Sequence, residues 1–123
     1  MKYKVIERKN PLTQSAKYYA NAVNEGKVSL RDLAQQIEGR SSLTRGDIQN
    51  VLENFIDLLP LFLKMGNSVK LGDFGTIRLN IKNKNGAASA EEFSTALIDG
   101  VKVIFTPGVQ LKGALKDVHF EKQ

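Results

Sequence analysis

Residues 66–82 read GNSVKLGDFGTIRLNIK, and within them the spacing of apolar residues changes from about 3.6 residues to every second residue. Gly66, followed by Asn, is typical of the end of a helix. Gly72 and Gly75 predict a bend or bulge. The alternation of Ile, Leu and Ile with polar residues in 77–82 predicts a strand with one buried face. The segment therefore predicts a transition from helix to sheet.

Two helices are predicted before this transition. Ser29 and Asp32 form a capping pattern, in which the hydroxyl accepts a backbone N–H and the acid lies in the positive first turn. Thr44 and Asp47 repeat the pattern and begin a helix of about twenty residues. This second helix is apolar over so much of its circumference that it needs covering on more than one side. We expect Pro60 to kink it, because proline lacks the N–H and clashes with the preceding turn.

After the transition, a returning strand is predicted from Val101 to Phe105, and Leu111 to Val118 has the spacing of a short C-terminal helix. Residues 83–100 between the strands are predicted to form a loop-like arm. At the other end of the chain, residues 2–9 alternate loosely and predict an edge strand, and residues 13–25 are predicted to be irregular or briefly helical.

The composition narrows the function classes. The chain has 123 residues, a formal charge of +5 and no cysteine, so it favours polyanionic partners and excludes disulfides, thiolate metal sites and a cysteine nucleophile. It has no apolar run of about 18 residues, so we expect no membrane segment and a soluble, cytoplasmic protein. No His, Asp and Glu cluster has metal-ligand spacing, and the glycines follow no phosphate-loop spacing. We therefore expect neither an enzyme nor a cofactor, metal or small-molecule substrate.

Two motifs carry a resemblance to a known family. Residues 66–76 resemble the end-of-helix, strand and Gly-Phe-Gly-Thr turn of the HU/IHF histone-like proteins, and the segment from Pro107 to Asp117 resembles their closing helix. The resemblance implies an α+β, HU/IHF-like fold: a homodimer with an intertwined helical base, an antiparallel β-saddle and β-arms. Residues 29–123 then form the HU-like domain. Residues 1–28 form a basic N-terminal extension, similar to that of an enlarged HU-related branch.

The resemblance also implies which residues meet DNA. The saddle floor would use the polar face of the strand in 77–82 together with a lysine of the returning strand, and further lysines would lie on the arm and the closing helix. The predicted DNA-binding residues are Arg78, Asn80, Lys82, Lys84, Lys102, Lys112 and Lys116. Their alternative role is that of ordinary solvated polar residues.

The arm departs from the family. Arms of HU proteins are rich in arginine and carry a proline wedge, whereas residues 83–100 contain neither and have Lys84 as their one cation. Phe93, Leu97 or Ile98 could act as a wedge or could fold back onto the domain. A further hypothesis is that five N-terminal cations replace the charge missing from the arm, namely Lys2, Lys4, Arg8, Lys9 and Lys17. The alternative is that these residues only keep the edge of the sheet soluble. Tyr18 and Tyr19 could stack on bases or anchor the extension.

The sequence thus predicts a homodimeric, architectural protein of the bacterial nucleoid that binds double-stranded DNA with little sequence preference, because few groups are placed for base readout. The alternative is a dimeric structural or protein-interaction module that keeps the HU core and no longer binds DNA. The lack of arginine and proline in the arm favours the alternative, whereas the positive charge of the predicted saddle favours DNA binding.

Overall fold

The computed structural model describes residues 1–123 and combines strands with helices, which confirms the α+β class. In chain order the elements are β1 (Lys2–Lys9), β2 (Ala16–Ala22), α1 (Leu30–Glu38), α2 (Arg45–Lys64), β3 (Val69–Lys70), β4 (Gly75–Asn83), β5 (Ile98–Pro107), α3 (Val109–Ala114) and β6 (Glu121–Lys122). A short 3₁₀ turn, Thr95–Leu97, precedes β5. The chain divides into two compact units, one of residues 1–29 with 115–123 and one of residues 30–114.

Helix α2 of the second unit begins and ends at the predicted signals. The Thr44 side chain accepts a hydrogen bond from the Asp47 N–H at 3.2 Å, which satisfies one of the unpaired donors of the first turn. At the other end Gly66 has a φ of +89°, and its N–H bonds to the Leu63 carbonyl at 3.0 Å. Such a left-handed residue is most accessible to glycine, so the helix stops here. The helix continues through Pro60 without a break.

The sheet of the second unit is antiparallel, in the order β3-β4-β5. A tight turn joins β3 to β4, with Gly72 at a φ of +56° and the Leu71 N–H bonded to the Gly75 carbonyl at 2.8 Å. The start of α3 docks onto this turn, because the Gln110 N–H bonds to the Asp73 carbonyl at 3.0 Å. A Cβ atom on Gly108 would overlap that Asp73 backbone. The two motifs of the sequence therefore meet in space.

The C-terminal helix is shorter than predicted. Helix α3 ends at Ala114, and residues 115–117 form a turn. The hydrogen bonding after Ala114 accounts for the difference. The Val118 N–H bonds at 3.4 Å to the carbonyl of Leu115, three residues earlier, whereas an α-helix would pair it with the carbonyl four residues earlier.

The first unit is a three-stranded sheet in the order β2-β1-β6. The prediction of an irregular segment over 13–25 is wrong, because β2 pairs with the whole of β1 in a continuous register from Tyr3 opposite Ala22 to Lys9 opposite Ala16. The prediction that residues 2–9 form an edge strand is also wrong. Strand β1 is central, since β6 pairs with its other side in parallel.

The C-terminal residues belong with this first sheet. The Met1 amino group donates to the His119 carbonyl at 2.7 Å, and the Glu121 N–H bonds to the Met1 carbonyl at 3.0 Å. The Gln123 N–H bonds to the Tyr3 carbonyl at 2.8 Å. The expected division into 1–28 and 29–123 therefore differs from the compact units at the C-terminal end, where residues 115–123 group with the extension.

Little apolar surface is buried in the chain. Three apolar residues form the buried core, namely Ala34 of α1 and Ile48 and Leu63 of α2. Large apolar side chains elsewhere on α2 remain exposed: Val51, Phe55, Ile56, Leu58, Leu61 and Phe62. The second helix is thus covered on one side and open on another, whereas its sequence predicts cover on more than one side.

Candidate nucleic-acid interface

The β4–β5 ladder sorts its residues into two chemically distinct faces. Directly opposed residues of an antiparallel pair lie on the same face, and the faces alternate along each strand. Asn80 lies opposite Lys102, and Lys82 lies opposite Gly100. Arg78 lies on the same face as these residues, two positions before Asn80. Four of the predicted site residues therefore share one face of the sheet, namely Arg78, Asn80, Lys82 and Lys102.

The opposite face of the same ladder is apolar. Its members are Ile77, Leu79, Ile81, Val101, Val103 and Phe105. The Phe105 ring contacts the ring of Phe74 with centroids 5.7 Å apart, near the turn that begins β4. Towards the far end of the strands, Ile81, Val101 and Val103 are more than half exposed. The sheet thus has one charged face and one incompletely covered apolar face.

Strand β3 adds a cation that the sequence analysis missed. Lys70 pairs with Thr76, and Thr76 lies on the same face as Arg78. The alternation of Val69 and Leu71 with polar neighbours carried this signal, but a strand of two residues is too short for its pairing to be predicted from spacing. We use the name saddle face for the polar residues on this side, of which all but the half-buried Thr76 are exposed: Lys70, Thr76, Arg78, Asn80, Lys82 and Lys102. Ile104, opposite Arg78, is half-buried on the same side.

The charge of the saddle face is uncompensated. None of its four cations forms an ion pair within 4.0 Å, and strands β3 and β4 contain no acidic residue. The acid of β5, Asp99, lies at the irregularity where the register shifts between Lys82 and Asn83, next to Gly100 with a φ of +112°. Asn80 accepts a hydrogen bond from the Ile81 N–H at 3.0 Å through its side-chain oxygen, which leaves its amide N–H groups as donors.

The other three predicted residues are not members of this sheet face. Lys84 follows the end of β4, where its N–H bonds to the Leu97 carbonyl at 2.9 Å. Lys112 lies in the last turn of α3 in the same unit. Lys116 lies in the turn after α3, within the first unit, so it is not on the helix expected to carry it.

The tip of the predicted arm is a series of turns between the two strands. The Phe93 N–H bonds to the Ala90 carbonyl at 3.3 Å, and the Leu97 N–H bonds to the Ser94 carbonyl at 3.0 Å. Of the three possible wedge residues, Phe93 is 44% exposed, while Leu97 and Ile98 are half-buried. Phe93 therefore offers the largest accessible apolar group at this tip.

Other kinds of site lack the necessary groups. No three or more His, Asp or Glu side chains are grouped so that they could hold a metal ion. None of the helices combines the length and apolar character needed to cross a bilayer. The saddle face is an exposed array of cations on a hydrogen-bonded ladder, and such an array is suited to a polyanion.

Comparison with known proteins assigns the chain to a family. A family model, HU-HIG, described as an HU domain fused to wHTH, Ig, or Glycine-rich motif, matches residues 1–122. The chain belongs to this HU-HIG family, and the resemblance to the HU/IHF histone-like proteins is thereby confirmed.

Individual relatives agree with this assignment. Integration host factor subunit alpha of Haemophilus influenzae is 27% identical over 86 residues, which are 69% of this chain and 90% of that protein. DNA-binding protein HU of Buchnera aphidicola subsp. Baizongia pistaciae is 31% identical over 88 residues, which are 71% of this chain and 96% of that protein.

A solved structure supports the fold. It is the crystal structure of a candidate bacterial DNA-binding protein from Bacteroides vulgatus, similar to this chain with a TM-score of 0.64 and 14% identity. The match covers 98% of this chain and 47% of that chain, so this chain spans about half the length of its structural relative. At this identity the likeness concerns the fold alone, which is HU/IHF-like.

Proposed function

We propose that this protein binds double-stranded DNA as a homodimer, mainly through the sugar–phosphate backbone, and acts as an architectural protein of the bacterial nucleoid in the cytoplasm. The observation that carries the proposal is the saddle face, where four cations from three strands lie together with no acid paired to them. Each phosphate that such a cation neutralises releases condensed counterions, which favours binding without regard to sequence.

The chemistry of the saddle face favours low sequence specificity. Four of its six residues are lysine or arginine, and contacts from these residues to phosphates position a protein without reading bases. Asn80 is the one amide on the face, and one lone pair of its side-chain oxygen is already used on the Ile81 N–H, so a two-bond contact with adenine would have to share that oxygen. The name of one relative, DNA-binding protein HU, supports the same class of partner.

The homodimer is inferred from the apolar surface that one copy leaves open. A domain of ordinary size normally buries well over half of the surface of its unfolded chain, whereas this chain buries three apolar residues as its core. Two large apolar areas remain in the second unit, one on α2 and one on the β4–β5 sheet. Open apolar surface on this scale is typical of association sites, and the HU-like fold covers it with a second copy of the chain.

One observation favours a second function, a dimeric structural or protein-interaction module that keeps the HU core without binding DNA. The tip between β4 and β5 contains no arginine or proline and includes the adjacent acids Glu91 and Glu92. Acidic side chains there would repel a phosphate backbone approaching the tip. The two functions share the dimer and differ in whether DNA is bound.

Titration of the full chain into labelled DNA separates the two functions. Duplex, nicked duplex and single-stranded DNA of one sequence are compared by fluorescence anisotropy at several salt concentrations, with a second duplex of scrambled sequence as the control for specificity. We expect steeply salt-dependent binding that is tightest on the nicked duplex and equal for the two sequences. Absence of binding to every form at low salt would overturn the proposal in favour of the interaction module.

A further inference from the structure

The β1–β2 hairpin of the first unit has a cationic face of its own. Arg8 lies directly opposite Lys17, and Lys4 lies opposite Asn21, so these residues share one side of the hairpin with Tyr19. The other side carries Val5, three alanines and two tyrosines together with Glu7 and Lys9. We call the first side the hairpin face, formed by Lys4, Arg8, Lys17, Tyr19 and Asn21 around the half-buried Ile6.

Three cations of the hairpin face, Lys4, Arg8 and Lys17, form no ion pair within 4.0 Å. Lys2, at the opposite end of β1, alternates onto the same side but lies 3.5 Å from a carboxylate oxygen of Glu25. Lys9 alternates onto the other side of the strand, the side that also carries Glu7. The register and the ion pair of Lys2 therefore distinguish three cations from the five that the sequence suggested.

A cleft of about 650 Å³ lies at the tip of this hairpin. Arg8, Lys9 and Lys17 line it, together with Asn10, Thr13, Ser15 and Tyr19, and none of its lining residues is acidic. The Arg8 guanidinium lies over the Tyr19 ring, 5.6 Å from the centroid. This stacking limits the directions the guanidinium can take while leaving its N–H edge available for two parallel bonds to a phosphate.

The turn at the tip is held by its own hydrogen bonds. The Asn10 N–H bonds to the Ser15 carbonyl at 3.0 Å, and the Asn10 side-chain oxygen accepts from the Leu12 N–H at 2.9 Å. The Thr13 and Ser15 hydroxyl oxygens are 2.8 Å apart. The polar groups that line the cleft are thus fixed relative to the strands, so less ordering is needed when a ligand binds.

We propose that the hairpin face is a second DNA site, in which Arg8, Lys17 and Lys4 bind backbone phosphates beside the ring of Tyr19. The identity of the ligand rests on the proposed function. Lys4 and Arg8 are four residues apart on one strand, roughly 13 Å at the usual rise, which is the distance that one DNA strand advances along the helix axis over about four nucleotides. A run of separated cations fits this repeating charge, and the tyrosine ring adds a surface on which a sugar or an unpaired base can pack.

The test compares two charge-matched variants of the full chain. Arg8→Gln with Lys17→Gln removes two cations of the hairpin face, and Lys27→Gln with Lys122→Gln removes two cations that lie outside it. Duplex binding is measured by anisotropy over a series of salt concentrations. We expect the first variant to reduce the slope of log K against log salt by about 1.8 units for each protomer that engages DNA, and the control to keep the wild-type slope.

A third variant, Arg8→Lys with Lys17→Arg, keeps the charge and should keep the slope, which separates loss of phosphate contacts from damage to the hairpin. Thermal unfolding of each variant is measured in parallel. An unchanged slope in the Gln variant would overturn the proposal. An equal fall of the slope in the Lys27 and Lys122 control would also overturn it, because the change in net charge would then explain the effect.

The same assay distinguishes failure of this proposal from failure of the proposed function. The saddle variant, Arg78→Gln with Lys102→Gln, is measured beside the hairpin variant. A reduced slope of log K against log salt in the saddle variant alone overturns the hairpin site and leaves the proposed function intact. A reduced slope in the hairpin variant alone supports the hairpin site and contradicts DNA binding through the saddle face. We expect a reduced slope in both variants.

Discussion

Replacing Arg78 and Lys102 by glutamine should flatten the salt dependence of duplex binding. Both side chains are exposed on the saddle face, on adjacent strands, and neither forms an ion pair within 4.0 Å. Glutamine keeps a polar, hydrogen-bonding side chain but removes the charge that releases counterions. The substitutions leave the backbone ladder of β4 and β5 intact, so the thermal midpoint should remain close to that of the wild-type protein.

The magnitude follows from the number of charges removed. Each lost phosphate contact lowers the slope of log K against log salt by about 0.9, so two cations in each protomer of the proposed homodimer lower it by up to about 3.6 units. Between roughly 50 and 200 mM salt, a difference of about 3.6 units corresponds to a change in affinity of about 150-fold. The variant should thus lose much less of its remaining affinity over this range than the wild-type protein does.

Fluorescence anisotropy with a labelled duplex measures this slope directly. Lys27→Gln with Lys122→Gln is the matched control, since it removes the same charge from residues outside the saddle face. The control should follow the wild-type slope. A saddle variant that also follows it, or a control that falls as far, would refute the reasoning that phosphates contact this face.

Three further predictions concern stability and assembly. Phe55→Asp places a charge on the open apolar side of α2, so analytical ultracentrifugation should show loss of the dimer, and a dimer of unchanged affinity would contradict the interface. Gly75→Ala should lower the free energy of unfolding by about 1–3 kcal/mol, and with it the thermal midpoint, because its Cβ would lie 2.6 Å from Cε1 of Phe105. Gly113→Ala has open space around its Cβ and should leave the thermal midpoint unchanged. Thr44→Ala should cost about 1 kcal/mol in denaturant unfolding through loss of the α2 cap, whereas Thr44→Ser should keep it.

The sequence predicted the second unit well because its elements carry strong local signals. Thr44 and Gly66 mark both ends of α2, and the alternation after Gly75 marks β4, since one face of that strand is apolar. The shared face of Arg78, Asn80 and Lys82 follows from that alternation alone. The position of Lys102 beside them needed the register of the partner strand.

The first unit was harder to predict for a physical reason. Every residue of β2 is exposed, so Ala16–Ala22 has no buried side. Its sequence therefore lacks the alternation of apolar and polar residues from which a strand is predicted. The central position of β1 was hidden as well, because β6 is two residues long and lies at the far end of the chain. Pairing between distant segments, as for Lys70 in β3, depends on turns and docking that spacing does not encode.

Lysine footprinting tests the central claim most directly. The protein is acetylated with a limiting reagent, free and bound to duplex DNA, and the modification of each lysine is measured by mass spectrometry. The account predicts that DNA protects Lys70, Lys82 and Lys102 of the saddle face, while Lys27 reacts equally in both states. Equal reactivity of the three saddle lysines with and without saturating DNA would contradict it.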